Sequence, residues 1–292
     1  MALTASATRI GAQRPDMSVN EQEIWRSLVE TRCGAHFAES RLHHLQGCLW
    51  ERMRARGVRS YLDYHHEVAF LRTGAAEWVA LLDCLLNRQT SFFRCEPAFR
   101  ALVSAASEIM GRKRMQSDNI LRLWSVGCSS GQETYSMAIA ALEAAGGSPW
   151  GVHVRGSDLR ESALEKARKG RYSARALEGI PEPLRRLYFS AADGGPEDCY
   201  EINAAVKALV EFDCINLVNP ATYGPWEHDV IFCQNVLIYF REAVQEEIAY
   251  RLARRLNPGG LLFFGPGEMA GVKLPGTQTV VIEGSLAHLR VE

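Results

Sequence analysis

Two carboxylates, Glu133 and Asp158, stand at or just past the ends of apolar runs, in "LRLWSVGCSSGQETYS" (residues 121–136) and "VHVRGSD" (residues 152–158). In the first, a β-branched and aromatic run gives way within one residue to glycine, cysteine, serine and glycine. A loop with so few side chains lets backbone approach a ligand, and a helix that follows it points free N–H groups the same way. Gly127 to Gly131 is G-x-x-x-G, which departs from the G-x-G-x-x-G that seats a pyrophosphate on a helix N-terminus. A nucleoside without phosphates, such as S-adenosylmethionine, needs close backbone approach at Gly127, an acid for its amino or ribose functions, and a second acid at the end of the next strand. Glu133 and Asp158 are placed for those tasks, Asp158 as the acceptor of both ribose hydroxyls. Both also have plain structural readings, Glu133 as an acid favoured in the first turn of a helix and Asp158 as a helix N-cap.

The elements that must position these groups follow from periodicity. Before residue 100, "NEQEIWRSLVETRCG" and "EWVALLDCLLNR" space their apolar residues as helices do, with Gly34, Gly57 and Gly74 as stops. After it, short apolar runs alternate with helical ones: "LRLWSV", "VHVRGSD", "VEFDCINL", "HDVIFCQNVL", "GGLLFFG" and "TVVIEG" are the runs. That alternation predicts βαβ units, a mostly parallel sheet covered on both faces, and a ligand at the carboxyl ends of the strands. Residues 170–210 are too long for one crossover and read as a helix followed by a small hairpin, its turn at residues 193–196. The expected division is a disordered tail over 1–17, a helical domain over 18–100, and an α/β domain over 101–292 with an insertion near 170–210.

Composition narrows the classes. The 292 residues carry a net charge of −1, so nothing global argues for nucleic acid or membrane. Eight cysteines without a C-x-x-C pair suit reduced, mostly buried thiols and a cytoplasmic location. No apolar run approaches the roughly 18 residues of a membrane span.

Four further stretches fall at loops or strand ends that could meet in the same crevice: "NRQTSFFRCEP" (87–97), "FDCINL" (212–217), "CQNVLIYF" (233–240) and "GPGE" (265–268). With the first loop they form the ordered series T-S-F-F-R, S-x-G-x-E-x-Y-S, G-S-D, N-L, Q-N-V-L-I-Y-F and L-N-P-G-G. Over residues 20–290 this series resembles the chemotaxis receptor methyltransferases of the CheR type, which esterify glutamate side chains on chemoreceptors. The resemblance implies a helical N-terminal domain, a Rossmann-like S-adenosylmethionine-dependent methyltransferase domain, and a small β-subdomain inserted in it. Carried over by residue, it implies that Thr90, Arg94, Glu133, Asp158, Asn216, Leu217, Gln234 and Asn235 line the cofactor site. Three positions depart from the family pattern: Arg88 replaces the usual asparagine, with Asn87 one residue earlier, Gln234 replaces the usual arginine, and Pro266-Gly267 replaces the usual His-Ser. Contact by the late glycine loop is therefore expected through backbone alone.

The chemistry asks for little beyond geometry. A sulfonium methyl is already activated and a glutamate carboxylate, with a reference pKa of about 4.3, is already a nucleophile. Arg94 is the candidate to hold one acceptor oxygen and Tyr239 to fix the angle by a hydrogen bond. Plain readings compete here too: Phe92, Phe93 and Phe240 as core aromatics, Arg94 as a solvated helix charge, Tyr239 as a core tyrosine, and Asn235 as the cap of a helix starting near Arg241.

Between 41 and 59, Arg41, Arg52, Arg54, Arg56 and Arg59 face a single acid, Glu51. The segment reads either as a solvated helical face or, as the resemblance implies, as a dock for the cytoplasmic helical region of chemoreceptors. Near the turn of the insertion, Asp193, Glu197 and Asp198 would oppose an acidic receptor peptide. The expected protein is a monomer without nucleic acid and without insertion in a membrane. Two other readings share the same cofactor: a methyltransferase acting on another protein or a small molecule, and a non-catalytic S-adenosylmethionine-binding signalling module.

Overall fold

A computed structural model describes residues 14–86, 89–147, 150–194 and 198–291. The tail expected over 1–17 thus lies mostly outside the described residues. The chain forms two compact units, up to residue 87 and from residue 88 onward.

The first unit is built from α1 (Val19–Cys33), α2 (Leu42–Arg56), α3 (Tyr61–Phe70) and α4 (Gly74–Leu85). Helix α1 starts at a capping box in which Glu21 N donates to Ser18 Oγ at 3.3 Å and Ser18 N donates to the Glu21 carboxylate at 2.8 Å, satisfying two otherwise orphaned donors. Gly34 and Gly57 end α1 and α2 in the left-handed region, as their spacing predicts. Gly74 does not end a helix; it begins α4. A Cβ there would stand 2.5 Å from the Val68 carbonyl oxygen, so the glycine serves the close approach of α3 to α4. The core is Trp25, Leu45, Leu49, Tyr61 and Tyr64, all but sealed from solvent.

The second unit opens with α5 (Glu96–Met115), then runs β1 (Ile120–Val126), α6 (Gln132–Ala145), β2 (Gly151–Asp158), α7 (Glu161–Lys169), β3 (Arg171–Ser173), α8 (Glu182–Tyr188), β4 (Phe189–Ala191), β5 (Cys199–Ile202), α9 (Ala204–Lys207), β6 (Val210–Cys214), β7 (His228–Cys233), α10 (Glu242–Ala253), β8 (Leu256–Phe264), β9 (Thr277–Ile282) and β10 (Ser285–Arg290). Seven strands form one sheet in the order β6-β2-β1-β7-β8-β10-β9. The pairs from β6 to β8 are parallel, while β10 is antiparallel to both β8 and β9. Alternate residues of each strand feed two layers, as a two-sided sheet requires. Leu123, Val230, Phe232 and Phe263 pack with α5 and α6, whereas Trp124, Ile231 and Leu262 pack with Ile248 and Leu252 of α10. Each such side chain contributes about 1.5–3 kcal/mol by leaving water. This is the α/β class expected. Helix α5 packs on α6 and β1, so the units part at 87/88, ahead of the composition change near 100.

The insertion holds the expected helix and hairpin, α8 followed by β4 and β5, and adds β3 as a third strand in the order β3-β5-β4. Part of the turn expected at 193–196 lies outside the described residues. Strand β10 is not anticipated by the alternation of runs.

At the amino ends of the strands, Asp229 of β7 ties four elements together. Its Oδ2 accepts from Lys113 Nζ at 2.7 Å and from Arg122 N at 2.8 Å, and its Oδ1 from Asn257 Nδ2 at 2.8 Å. Lys113 and Asp229 are both buried, and removing one partner of such a pair leaves an uncompensated charge. Asp229→Ala is expected to destabilise this unit by about 3 kcal/mol or more, read as a fall in the urea midpoint of its unfolding. A midpoint equal to wild type would contradict the assignment.

Candidate active site

Every residue that sequence reasoning gave to the cofactor falls in the second unit, mostly in the loops that leave the carboxyl ends of the parallel strands. The loop after β1 turns at Gly127 (φ 71°), where a Cβ would stand 2.3 Å from Val236 Cγ2, so a side chain is excluded by both conformation and space. Ser129, also left-handed at φ 51°, directs its N–H to Asp158 Oδ2 at 2.9 Å. Asp158 Oδ1 accepts from Arg160 N at 2.9 Å and Arg160 Nε at 3.2 Å, and Arg160 Nη2 reaches Ser129 Oγ at 3.1 Å. Asp158 is not the N-cap of α7, a position held by Arg160. It locks the loop after β1 to the loop after β2 and remains buried at the sheet end. The insertion braces the same loop, because Tyr172 of β3 donates its hydroxyl to Ser130 O at 2.8 Å. Phe92 is a core aromatic, set edge-on against Tyr172 and Phe189. Phe93 sits at φ 49° with its N–H on Ser136 Oγ at 3.1 Å, and Phe240 packs on the α10 side of the core.

Glu133 lies in the first turn of α6 and accepts from Ser125 Oγ at 2.7 Å. Dense protein around it pushes its pKa up to about 7; the Ser125 hydroxyl and the Arg94 guanidinium pull downward, and the Glu268 carboxylate pushes up again. Cys128 and Cys233 also face this group, and burial holds both thiols far above their ordinary range, so neither supplies a thiolate at neutral pH. Arg94 is exposed at the rim, its Nη1 donating to Gln89 O at 3.3 Å. Thr90 is half-buried in the same segment, while residues 87 and 88 lie outside the described residues.

Asn216 turns the chain after β6, its Oδ1 accepting from Val218 N at 3.3 Å. Leu217 is buried, and its carbonyl accepts from Tyr223 Oη at 2.7 Å. Gln234 directly follows β7; it is buried, and its Nε2 finds no hydrogen-bond partner among the described residues. Asn235 is left-handed at φ 58° and does not cap α10, which begins after Arg241. Tyr239, half-buried, ends the short turn Leu237–Tyr239. Sequence reasoning missed Ser125, Arg160 and Glu268; Glu268 stood in the quoted "GPGE" but carried no pattern of its own.

The basic segment is reached differently. Arg52 places Nε and Nη2 at 2.8 and 2.9 Å from the Glu77 carboxylate, and Tyr64 Oη donates to the same group at 2.7 Å. Arg56 Nε donates to Glu67 at 2.7 Å, and Arg41 lies over the Phe37 ring at 4.8 Å. Burial would raise the Glu77 pKa, but hydrogen bonds from Arg52 and Tyr64 and the charges of Arg52 and Arg56 outweigh it and lower the value. Arg52 is thus bound inward within its own unit, Arg56 is partly so, and Arg54 and Arg59 are exposed. This inward pairing lies outside what local spacing shows, because Glu67 and Glu77 meet α2 only in the folded unit.

The donor set suits S-adenosylmethionine. A sulfonium or an amino group meets an acid in Glu133, and the unpaired Gln234 Nε2 offers a donor to a neutral polar group. A pyrophosphate would meet the same carboxylate with like charge. Residues 88–281 match the family described as CheR methyltransferase, SAM binding domain, and residues 20–86 match CheR methyltransferase, all-alpha domain. The chain is 34% identical over 244 residues to a chemotaxis protein methyltransferase of Salmonella typhimurium, covering 82% of this chain and 81% of the relative. It is 32% identical to the chemotaxis protein methyltransferase of Escherichia coli over the same shares. With chemotaxis protein methyltransferase 2 of Pseudomonas aeruginosa it shares 32% identity, covering 80% and 81%.

Because Glu133 is raised to about 7 and a cationic ligand favours its ionised form, affinity for S-adenosylmethionine should fall about tenfold per pH unit below 7 and level off above it. Calorimetry between pH 5.5 and 8.5 measures this, with Glu133→Gln expected to bind more weakly and without the slope. A flat wild-type profile would contradict the assignment.

Proposed function

The chain belongs to the CheR methyltransferase family, and on that premise we propose that it catalyses S-adenosylmethionine-dependent methyl esterification of glutamate side chains on the cytoplasmic helical region of chemoreceptors, as a protein-glutamate O-methyltransferase of a bacterial chemosensory pathway. The observation that carries the reading is the opposition of half-buried Glu133, desolvated by the protein around it, to Arg94 at the rim. Such a site takes a cation inside and a carboxylate outside, which are the charges of a sulfonium methyl donor and a glutamate acceptor.

Bound S-adenosylmethionine supplies an electrophilic methyl group. The protein's part is to hold and to align. Gly127 admits the ligand close to backbone, and Asp158, fixed by Ser129 and Arg160, presents the acceptor site left on Oδ2 to the ribose. Thr90, Asn216, Leu217, Gln234 and Asn235 complete the cofactor wall, Leu217 by its main chain and Gln234 by its unpaired Nε2. Arg94 grips one oxygen of the acceptor carboxylate while the other attacks in line, and Tyr239 fixes the angle by donating its hydroxyl. No general base is required, since the acceptor is already ionised at neutral pH. A cation and an anion become two neutral groups in the step, so a water-poor site favours it. Arg94 is suited to positioning more than to acceleration: gripping the carboxylate harder would stabilise the reactant over the transition state.

The receptor helix docks on α2 in this proposal, with exposed Arg54 and half-exposed Arg56 as its main contacts and Arg41 at the start of the helix. Substitution of Arg52 would report the Glu77 contact instead.

Labelled methyl from S-adenosylmethionine should appear on receptor cytoplasmic fragments as esters released by mild alkali. Arg94→Ala and Tyr239→Phe should lower transfer about ten- to a hundredfold while changing cofactor affinity much less. Asp158→Ala should weaken cofactor binding about tenfold through the lost charged acceptor. Alkali-stable label, or label only on other acceptors, would contradict the proposal.

A further inference from the structure

We propose that Glu268 is a positioning residue for the reaction, whose carboxylate staples the loop after β7 to the end of β8 and thereby sets Asn235 and Tyr239. This rests on the methyltransferase reading above. Glu268 Oε2 accepts from Asn235 N at 2.6 Å and from Gly265 N at 2.9 Å, and Oε1 accepts from Ile238 N at 3.4 Å. Three backbone donors from two strand ends therefore converge on one side chain. The left-handed turn at Asn235 breaks the pairing of β7, and a half-buried N–H there needs an acceptor that no neighbouring strand supplies. The carboxylate is that acceptor.

Its own loop is shaped to deliver it. Glu268 N donates to Gly265 O at 2.9 Å, closing a tight turn. A Cβ on Gly265 would stand 2.3 Å from Glu268 Oε2 and 3.0 Å from Asn235 N, so the carboxylate occupies the space that only a glycine leaves open. On its other side the stapled loop sets Val236 against Gly127, where a Cβ would lie 2.3 Å from Val236 Cγ2. Tyr239 N in turn donates to Val236 O at 3.3 Å. The staple thus connects the end of β8, the loop of Asn235 and Tyr239, and the glycine turn after β1 without touching the acceptor itself.

The variants are Glu268→Ala, which removes all three acceptor contacts, and Glu268→Gln, which keeps one oxygen for the Asn235 and Gly265 N–H groups. Residue-resolved amide exchange in the full chain should show Asn235 and Gly265 exchanging roughly tenfold or more faster in Glu268→Ala, with the β7 amides still protected. In the same variant kcat for methyl transfer to a receptor fragment should fall about ten- to a hundredfold, with KM for the fragment changing less. Glu268→Gln should recover most of both. Unchanged protection in Glu268→Ala overturns the staple, and lost protection with wild-type kcat overturns its role in positioning. If Glu268→Ala does not fold, Glu268→Gln decides: near-wild-type protection and kcat support the staple, and loss of both overturns it. Wild-type protein that neither binds S-adenosylmethionine nor transfers methyl defeats the proposed function, while exchange at Asn235 and Gly265 still decides the staple.

Discussion

A carboxylate enclosed by protein must meet a cation or a hydrogen-bond donor, or else give up its charge. Glu133 is held in that condition at the centre of this site. Among the described residues its one close donor is the Ser125 hydroxyl; the Arg94 guanidinium at the rim favours its ionised form, and a second carboxylate, Glu268, opposes ionisation. The site therefore carries an unmet demand for positive charge, and much of the surrounding geometry serves to keep the demand in place. The glycine turn after β1 lets Val236 pack close at Gly127, and Asp158 and Tyr172 fix that loop from two sides.

The division of labour across the sheet follows from this. At the amino ends of the strands Asp229 is paired internally, accepting from Lys113 Nζ, the Arg122 backbone N–H and Asn257 Nδ2. At the carboxyl ends the pairing among the described residues is partial: Glu133 has one hydroxyl, Gln234 Nε2 has no partner, and Arg94 has one carbonyl contact at 3.3 Å. Buried polar groups left short of partners at one end of a fold are where ligand contacts are expected.

The elements legible in the sequence were those written in local spacing. The runs at 121–126 and 152–158 end where β1 and β2 end, so the end of β1 ahead of Glu133 and the end of β2 at Asp158 are legible directly. Strand β10 was not read, because its hairpin turns at Glu283 and Gly284, with φ of 49° and 79°, a dipeptide less telling than Asn-Gly or Asp-Gly. The inward commitment of Arg52 could not be read either, since Glu77 sits on α4 and the pairing exists only once α2 and α4 meet. Glu268 was silent for a different reason: its partners are backbone N–H groups, which every non-proline residue has, so no pattern of side chains announces them. Gly74 looked like a stop from its type alone, and only the packing of α3 on α4 shows the close approach it permits.

The central claim is that Glu133 is the desolvated acid that a methyl donor's positive charge must satisfy. The most direct measurement is a carboxyl carbon-13 titration of Glu133 in the full chain, assigned by Glu133→Gln, with and without S-adenosylmethionine. The account expects a midpoint near 7 in the free protein and a fall of about a unit or more when the ligand is bound. A free-protein midpoint in the ordinary glutamate range, unmoved by the ligand, would contradict it.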